Sequence, residues 1–214
     1  MPFPTTNATE ELPAINEILA SVGQAPVTTL DQTNPDVAIA YNTLLTVSRE
    51  VQAEGWTFNT EFNVKKTTDA NKEFVIPNNY LQIDLSYNST NSSKNVVRRR
   101  KPGEPNTKLY DKYNHTYEIT SEASGDIELD IVFNYDWIDL PIPIQDYIVA
   151  KSAALVSSRI VGDSNQYKIL QQKEFESRAR ALEYECNQGD YTYFGHPEGE
   201  NYYNSYQPYQ ALYR

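Results

Sequence analysis

The sequence predicts an α+β protein: a bundle of about four helices built from both chain ends, an inserted antiparallel β region, and an extended C-terminal tail. Three observations carry this. Apolar residues recur every three to four positions at both ends of the chain. Between Trp56 and Leu140 the period falls to two. The last 25 residues hold seven tyrosines and almost no aliphatic side chain, so they cannot form a core of their own. The expected divisions are an arm and helical hairpin over 1–55, the β region over 56–140, a second hairpin over 141–189, and the tail over 190–214.

Residues 1–8 read as a short polar arm. A first helix is expected over roughly 10–22, where Leu12, Ile15, Leu19 and Val22 share a face and Glu10 and Glu11 sit in the first turn, favoured by the helix dipole. Gly23 ends it, because glycine accepts the left-handed backbone of a helix C-terminus. A second helix is expected over 35–54, with Asn34 as N-cap, Pro35 at the first helical position, and Val37, Tyr41, Leu44, Ser48 and Val51 on one face. Gly55 closes it.

From Trp56 the pattern alternates: Trp56, Phe58, Phe62 and Val64, then Leu81, Ile83 and Leu85. Phe74-Val75-Ile76 reads as a short strand cut off by Pro77, which has no N–H for a ladder. Ser86 to Ser93 is an Asn/Ser-rich surface loop, and Val96-Val97 opens a basic segment. Further strands are expected at Lys108–Tyr113 and Tyr117–Thr120. The clearest is Ile127–Tyr135, with Ile127, Leu129, Ile131 and Phe133 inward and Glu128, Asp130 and Asn134 outward.

Leu140-Pro141-Ile142-Pro143 breaks the sheet, and Pro143 starts a third helix whose face runs through Ile144, Tyr147, Ile148, Lys151, Leu155 and Ser158 to an end near Gly162. Asp163 or Ser164 caps a fourth helix, with Leu170, Phe175, Ala179, Leu182 and Cys186 as its expected inner face and Gly189 as its stop. Leu19, Leu44, Trp56, Leu155 and Leu182 mark the expected core. Four such helices can pack as one bundle.

The formal net charge of −11 argues against a surface that grips nucleic acid. The single cysteine, Cys186, excludes an internal disulfide framework, and its place on an apolar helix face suggests a buried thiol. No apolar run is long enough to span a membrane, and the N-terminus has neither a basic region nor a hydrophobic stretch of a signal peptide. His115 and His196 fit no metal-binding spacing, and no P-loop, G-x-G-x-x-G or G-x-S-x-G is present, so no cofactor is expected.

Two features hold candidate chemistry. Asp126, Glu128, Asp130, Asp136 and Asp139 cluster about one strand; paired carboxylates can hydrolyse glycosides, but at a period of two they also describe a solvated strand face. Arg98, Arg99, Arg100 and Lys101 form the strong basic run, open to three readings: a solvated loop edge, a contact with a subunit or partner, or a contact with DNA.

The phrase AINEILASVGQAPVTTL (14–30), a following helix carrying N-x-x-L, and then GWTFN (55–59) resemble the tail tubular protein A family, the head-to-tail adaptors or gatekeepers of short-tailed bacteriophages. The resemblance implies a structural protein of the virion tail, made in the host cytoplasm, that forms a ring of twelve copies between the portal protein and the tubular nozzle, tail tubular protein B. It further implies passage of DNA without specific binding and neighbouring tail fibres. The family has no catalytic signature to transfer. Carried onto this chain, the portal-binding residues would be the aromatic residues of the tail, Tyr191, Tyr193, Phe194, Tyr202, Tyr203, Tyr206, Tyr209 and Tyr213. The nozzle-facing parts would be loops between Asn59 and Asn134. The competing class is a tail-associated glycan hydrolase acting on host surface polysaccharide.

Overall fold

Residues 8–31, 33–86, 94–121 and 123–189 are described in the computed structural model. The arm before Ala8, most of the Asn/Ser loop, and the tail with His196 and all its aromatic residues lie outside the described residues. Four helices, α1 (Ala8–Ser21), α2 (Pro35–Gln52), α3 (Ile142–Ile160) and α4 (Ser164–Gln188), enclose five strands in the chain order: β1 (Thr60–Thr67), β2 (Tyr80–Leu85), β3 (Val96–Arg100), β4 (Thr107–Asp111) and β5 (Asp126–Phe133).

Helix ends follow the capping chemistry. Gly23 takes φ +77°, so Gly23 N–H and Gln24 N–H reach back to the carbonyls of Ala20 and Leu19 at 3.1 and 3.0 Å. Asn16 then clasps the outgoing loop: its amide donates to Val27 O and its Oδ1 accepts from Val27 N–H. Asn34 caps α2 by accepting from Asp36 N–H, and Asp163 caps α4 by accepting from Asn165 N–H. Gly189 does end α4, but at φ −79° in the right-handed region, so the expected left-handed stop is not the reason.

The bundle is built around α3, which packs against α1, α2 and α4. Residues Tyr147 to Ala150 and Ser152 to Ala154 are buried, so α3 is covered nearly all round rather than on one stripe. Leu19, Leu44 and Trp56 are in this core, and Leu155 packs half-buried against it.

In the β region the sheet order is β1-β5-β2, antiparallel throughout, and β3 pairs with β4 as a separate antiparallel ribbon. Ile127, Leu129 and Ile131 point inward as expected, meeting Phe74, Ile76, Val96, Leu109 and Ile119 in a second core. Three expectations fail here. Trp56–Phe58 does not begin a strand, since Thr57–Asn59 forms a 3-10 turn. Phe74–Ile76 makes a single bridge, Val75 to Lys108. Tyr117–Thr120 is no strand either, because Ile119 N–H is taken by Lys72 O outside any ladder.

β1 is an edge strand and is visibly irregular. Its register with β5 shifts between Glu61 and Val64, Asn63 stands at φ +57°, and Phe62 is turned out at 67% exposure instead of joining the core. Asn63 N–H donates to Asp130 Oδ1 at 3.0 Å, and Ser86 Oγ bonds Asn63 Oδ1 from the far side.

A fully buried amide pair joins bundle to sheet. Asn59 donates from Nδ2 to Gln52 O (2.8 Å) and Phe133 O (2.9 Å), and accepts from Trp56 N–H (2.8 Å). Gln52 accepts from Tyr135 N–H and donates to Tyr135 O, while the Trp56 indole donates to Val51 O. The end of α2, the first turn after it and the exit of β5 are therefore one hydrogen-bonded unit.

Candidate interaction surfaces

The basic run lies on β3. Val96, Val97 and the three arginines pair with Asp111 to Thr107 of β4, so the ribbon projects the guanidinium groups to solvent. Each is steadied locally. Arg98 donates to Tyr80 O at 2.9 Å, Arg99 stacks 4.6 Å from the Tyr110 ring centroid, and Arg100 donates to Glu104 O at 2.8 Å.

Lys101 is different. It pairs with Glu73 at 2.6 Å and with Glu104 at 3.3 Å, while the buried Lys108 ammonium meets the same two carboxylates. Burial alone would raise Glu73's carboxyl, yet hydrogen bonds from Lys101 and Lys108 outweigh it and hold the group below its ordinary value. Lys108, held by Glu104 and Glu73, is pushed up to about 12. A carboxyl depressed on folding stabilises above its unfolded value and loses that as pH falls; an ammonium raised on folding stabilises below its unfolded value and loses that as pH climbs toward 12. The cluster's contribution should therefore hold between roughly pH 5 and 10 and fade on both sides. Urea midpoints of wild type and Lys108→Met across pH would check this: the gap between them should be widest in that window. A gap independent of pH would refute it.

The fourth helix corrects the sequence reading most. Its buried positions are Ser177 and Ala181, with Leu170 half-buried. Phe175 is 66% exposed and Leu182 45% exposed, so Leu182 is no core residue; Ala179 is exposed, and Cys186 is an exposed free thiol rather than a buried one. The cause is the neighbour. α3 packs closely against α4, its Tyr147 meeting Arg178, and the residues α4 buries are the small Ser177 and Ala181, the choice that lets two helices approach closely. Phe175 and Leu182, with Ala179 and Cys186, then fall on the outward side, one helical stripe facing solvent.

Polar ties hold α4 to the bundle along its length. Gln166 bonds Ser21 O, Lys173 pairs with Glu17 at 2.5 Å, Arg178 with Glu54 at 3.4 Å, and Glu185 accepts from Thr57 N–H and Oγ1.

The strand carboxylates are occupied locally. Asp126 accepts from Thr67, Glu128 lies 3.8 Å from Lys65, and Asp130 accepts from Asn63 N–H, while Asp136 precedes and Asp139 ends a 3-10 turn beyond the strand. Asp126, Glu128 and Asp130 thus form a solvated strand face. Among the described residues no group of three or more His, Cys, Asp or Glu is placed to hold a metal ion, and no helix is long and apolar enough to cross a membrane.

Compared with known protein families, residues 12–191 match the model for the tail tubular protein. The chain belongs to that family. The match starts in α1 and ends just past α4, so it covers bundle and β region alike. As a tail tubular protein it is a structural component of a phage tail, and its surfaces are read as contacts with other tail proteins. A comparison with curated proteins finds no match.

Proposed function

We propose that this tail tubular protein is a ring-forming adaptor at the head–tail junction, joining the portal protein to the tail nozzle of a short-tailed phage and letting DNA through. The observation that carries it is the outward stripe of α4, Phe175, Ala179, Leu182 and Cys186. Large apolar side chains in one exposed helical row mark a contact surface. In the sequence this helix is followed by residues 190–214, whose tyrosines supply contact area with a hydrogen-bonding end at low entropic cost. Together they form the portal-facing side.

The exposed guanidinium groups of Arg98, Arg99 and Arg100 face the next copy. On a chain of net charge −11 most other surface is acidic, so a cationic ribbon meets its complement on an identical neighbour, and repeated heterologous contacts close into a ring. The same acidic balance lets DNA slide past without sticking. Loops of the β region face the nozzle and fibres.

Native mass spectrometry of the protein alone and with its portal tests this. The expected result is a stoichiometric ring on the portal, lost from a truncation that ends at Gly189. A protein that stays monomeric beside its portal would overturn the adaptor reading; equal portal binding by the truncation would remove the tail from it.

A further inference from the structure

The β region carries opposite charge on its two sides. Val96 and Leu109 of the β3–β4 ribbon share a core with Ile127, Leu129 and Ile131 of β5, so the ribbon covers the inward face of the three-stranded sheet. Side chains alternate along β3, and Arg99, stacked on Tyr110, leaves the ribbon on the side away from Leu109. Arg100 is exposed at the strand's end. The other side of the sheet is acidic. The alternation that sends Ile127, Leu129 and Ile131 inward sends Asp126, Glu128 and Asp130 outward, and β2 sets Asp84 directly opposite Asp130.

Like charges facing each other across a strand pair repel, so Asp84 beside Asp130 costs the isolated chain stability. Lys65 reaches Glu128 at 3.8 Å, but the carboxylates of this face outnumber the ammonium beside them. Asp84 and Asp126 are exposed and Glu128 and Asp130 half-buried, so all four are open to a partner from outside. Guanidinium groups suit such a face, because one guanidinium can take a carboxylate through two parallel hydrogen bonds. A basic and an acidic surface on opposite sides of one body do not meet within a chain, and a two-fold pair would set like charge against like. They match when copies follow one another head to tail, the arrangement from which rings close.

We propose that the outward face of β5 and β2, with Asp84, Asp126, Glu128 and Asp130, receives Arg99 and Arg100 of a second copy of this chain. The proposal rests on the ring-forming reading and adds to it the surface on which the arginines land.

Native mass spectrometry of the full chain on its portal tests it with two charge-reversed variants, Arg99→Glu with Arg100→Glu on the ribbon and Asp84→Lys with Asp126→Lys on the sheet. Wild type is expected to leave portals either bare or fully loaded, since each seated copy favours the next, and to load less as salt rises. Either variant alone should give intermediate copy numbers, with loading weakened at least tenfold. An equimolar mixture of the two should restore full loading, because the acidic ribbon of one then meets the cationic sheet face of the other, and the reverse. That recovery excludes misfolding as the cause, and Asp84→Lys alone, which sets an ammonium opposite Asp130, should melt no lower than wild type. Wild type that never seats on the portal overturns the adaptor reading and this pairing with it. Wild type that loads while both variants load in the same all-or-none way overturns the pairing alone, and so does loss in both variants without recovery in the mixture. Variants that load normally but no longer hold the nozzle protein would give the carboxylate face to the nozzle instead.

Discussion

Asn59→Leu is expected to lower the melting temperature by roughly 10 °C. The leucine is similar in size, so little packing volume changes; what goes is the pairing of three backbone groups, Gln52 O, Phe133 O and Trp56 N–H, around a side chain that is fully buried. Each buried backbone group left without a partner costs about 1–3 kcal/mol, and local relaxation recovers part of that, leaving about 3 kcal/mol. In a domain of this length about 1 kcal/mol moves the midpoint by 2–4 °C. Asn59→Asp should be at least as harmful, since it keeps the acceptor for Trp56 but sets a negative charge against two carbonyl oxygens. Thermal melts followed by circular dichroism provide the check. A shift below about 3 °C for Asn59→Leu would mean that the Asn59 amide adds little to the junction of bundle and sheet.

The opposite profile is expected for Phe175→Ser combined with Leu182→Ser. Both side chains stand in solvent, so folding stability should stay within about 0.5 kcal/mol of wild type. On the proposed adaptor reading, attachment to the portal should instead weaken by roughly a hundredfold, the loss typical of removing two apolar anchors from the centre of an interface. Surface-immobilised portal with the tail tubular protein in solution would read this directly. An unchanged affinity would show that the α4 stripe does not touch the portal; an unfolded double variant would show that the stripe is structural after all.

The architecture was legible because its signals are local. Spacing of Ile15 and Leu19, the Asn34-Pro35 start and the alternation of Ile127, Leu129 and Ile131 all report on a residue's own element, and each is met in the structure, while Leu12 stays half-buried outside the core. What failed depends on the neighbour across the interface. Nothing in α4 itself says how closely α3 will approach it, so periodicity points Phe175 and Leu182 inward where only the small Ser177 and Ala181 fit. Phe62 broke the alternation because Asn63 takes a left-handed backbone, a single-residue event that periodicity averages away. Glu11 looked like an ordinary dipole-favoured acid of a first turn, because the wall that buries it arrives from residues 134–137, more than a hundred positions later. The Asn59–Gln52 amide pair was equally hidden, as neither a polar residue at a helix end nor one in the turn after it signals burial.

The irregular β1 edge bears on how many copies can ever associate. A flat, unpaired strand invites an identical strand to add beside it, and that kind of growth has no natural stopping point. Here the outward-turned Phe62, the left-handed Asn63 and the ammonium of Lys65, 78% exposed, spoil the template over most of its length. Strand-by-strand growth across this edge of the sheet is thereby disfavoured.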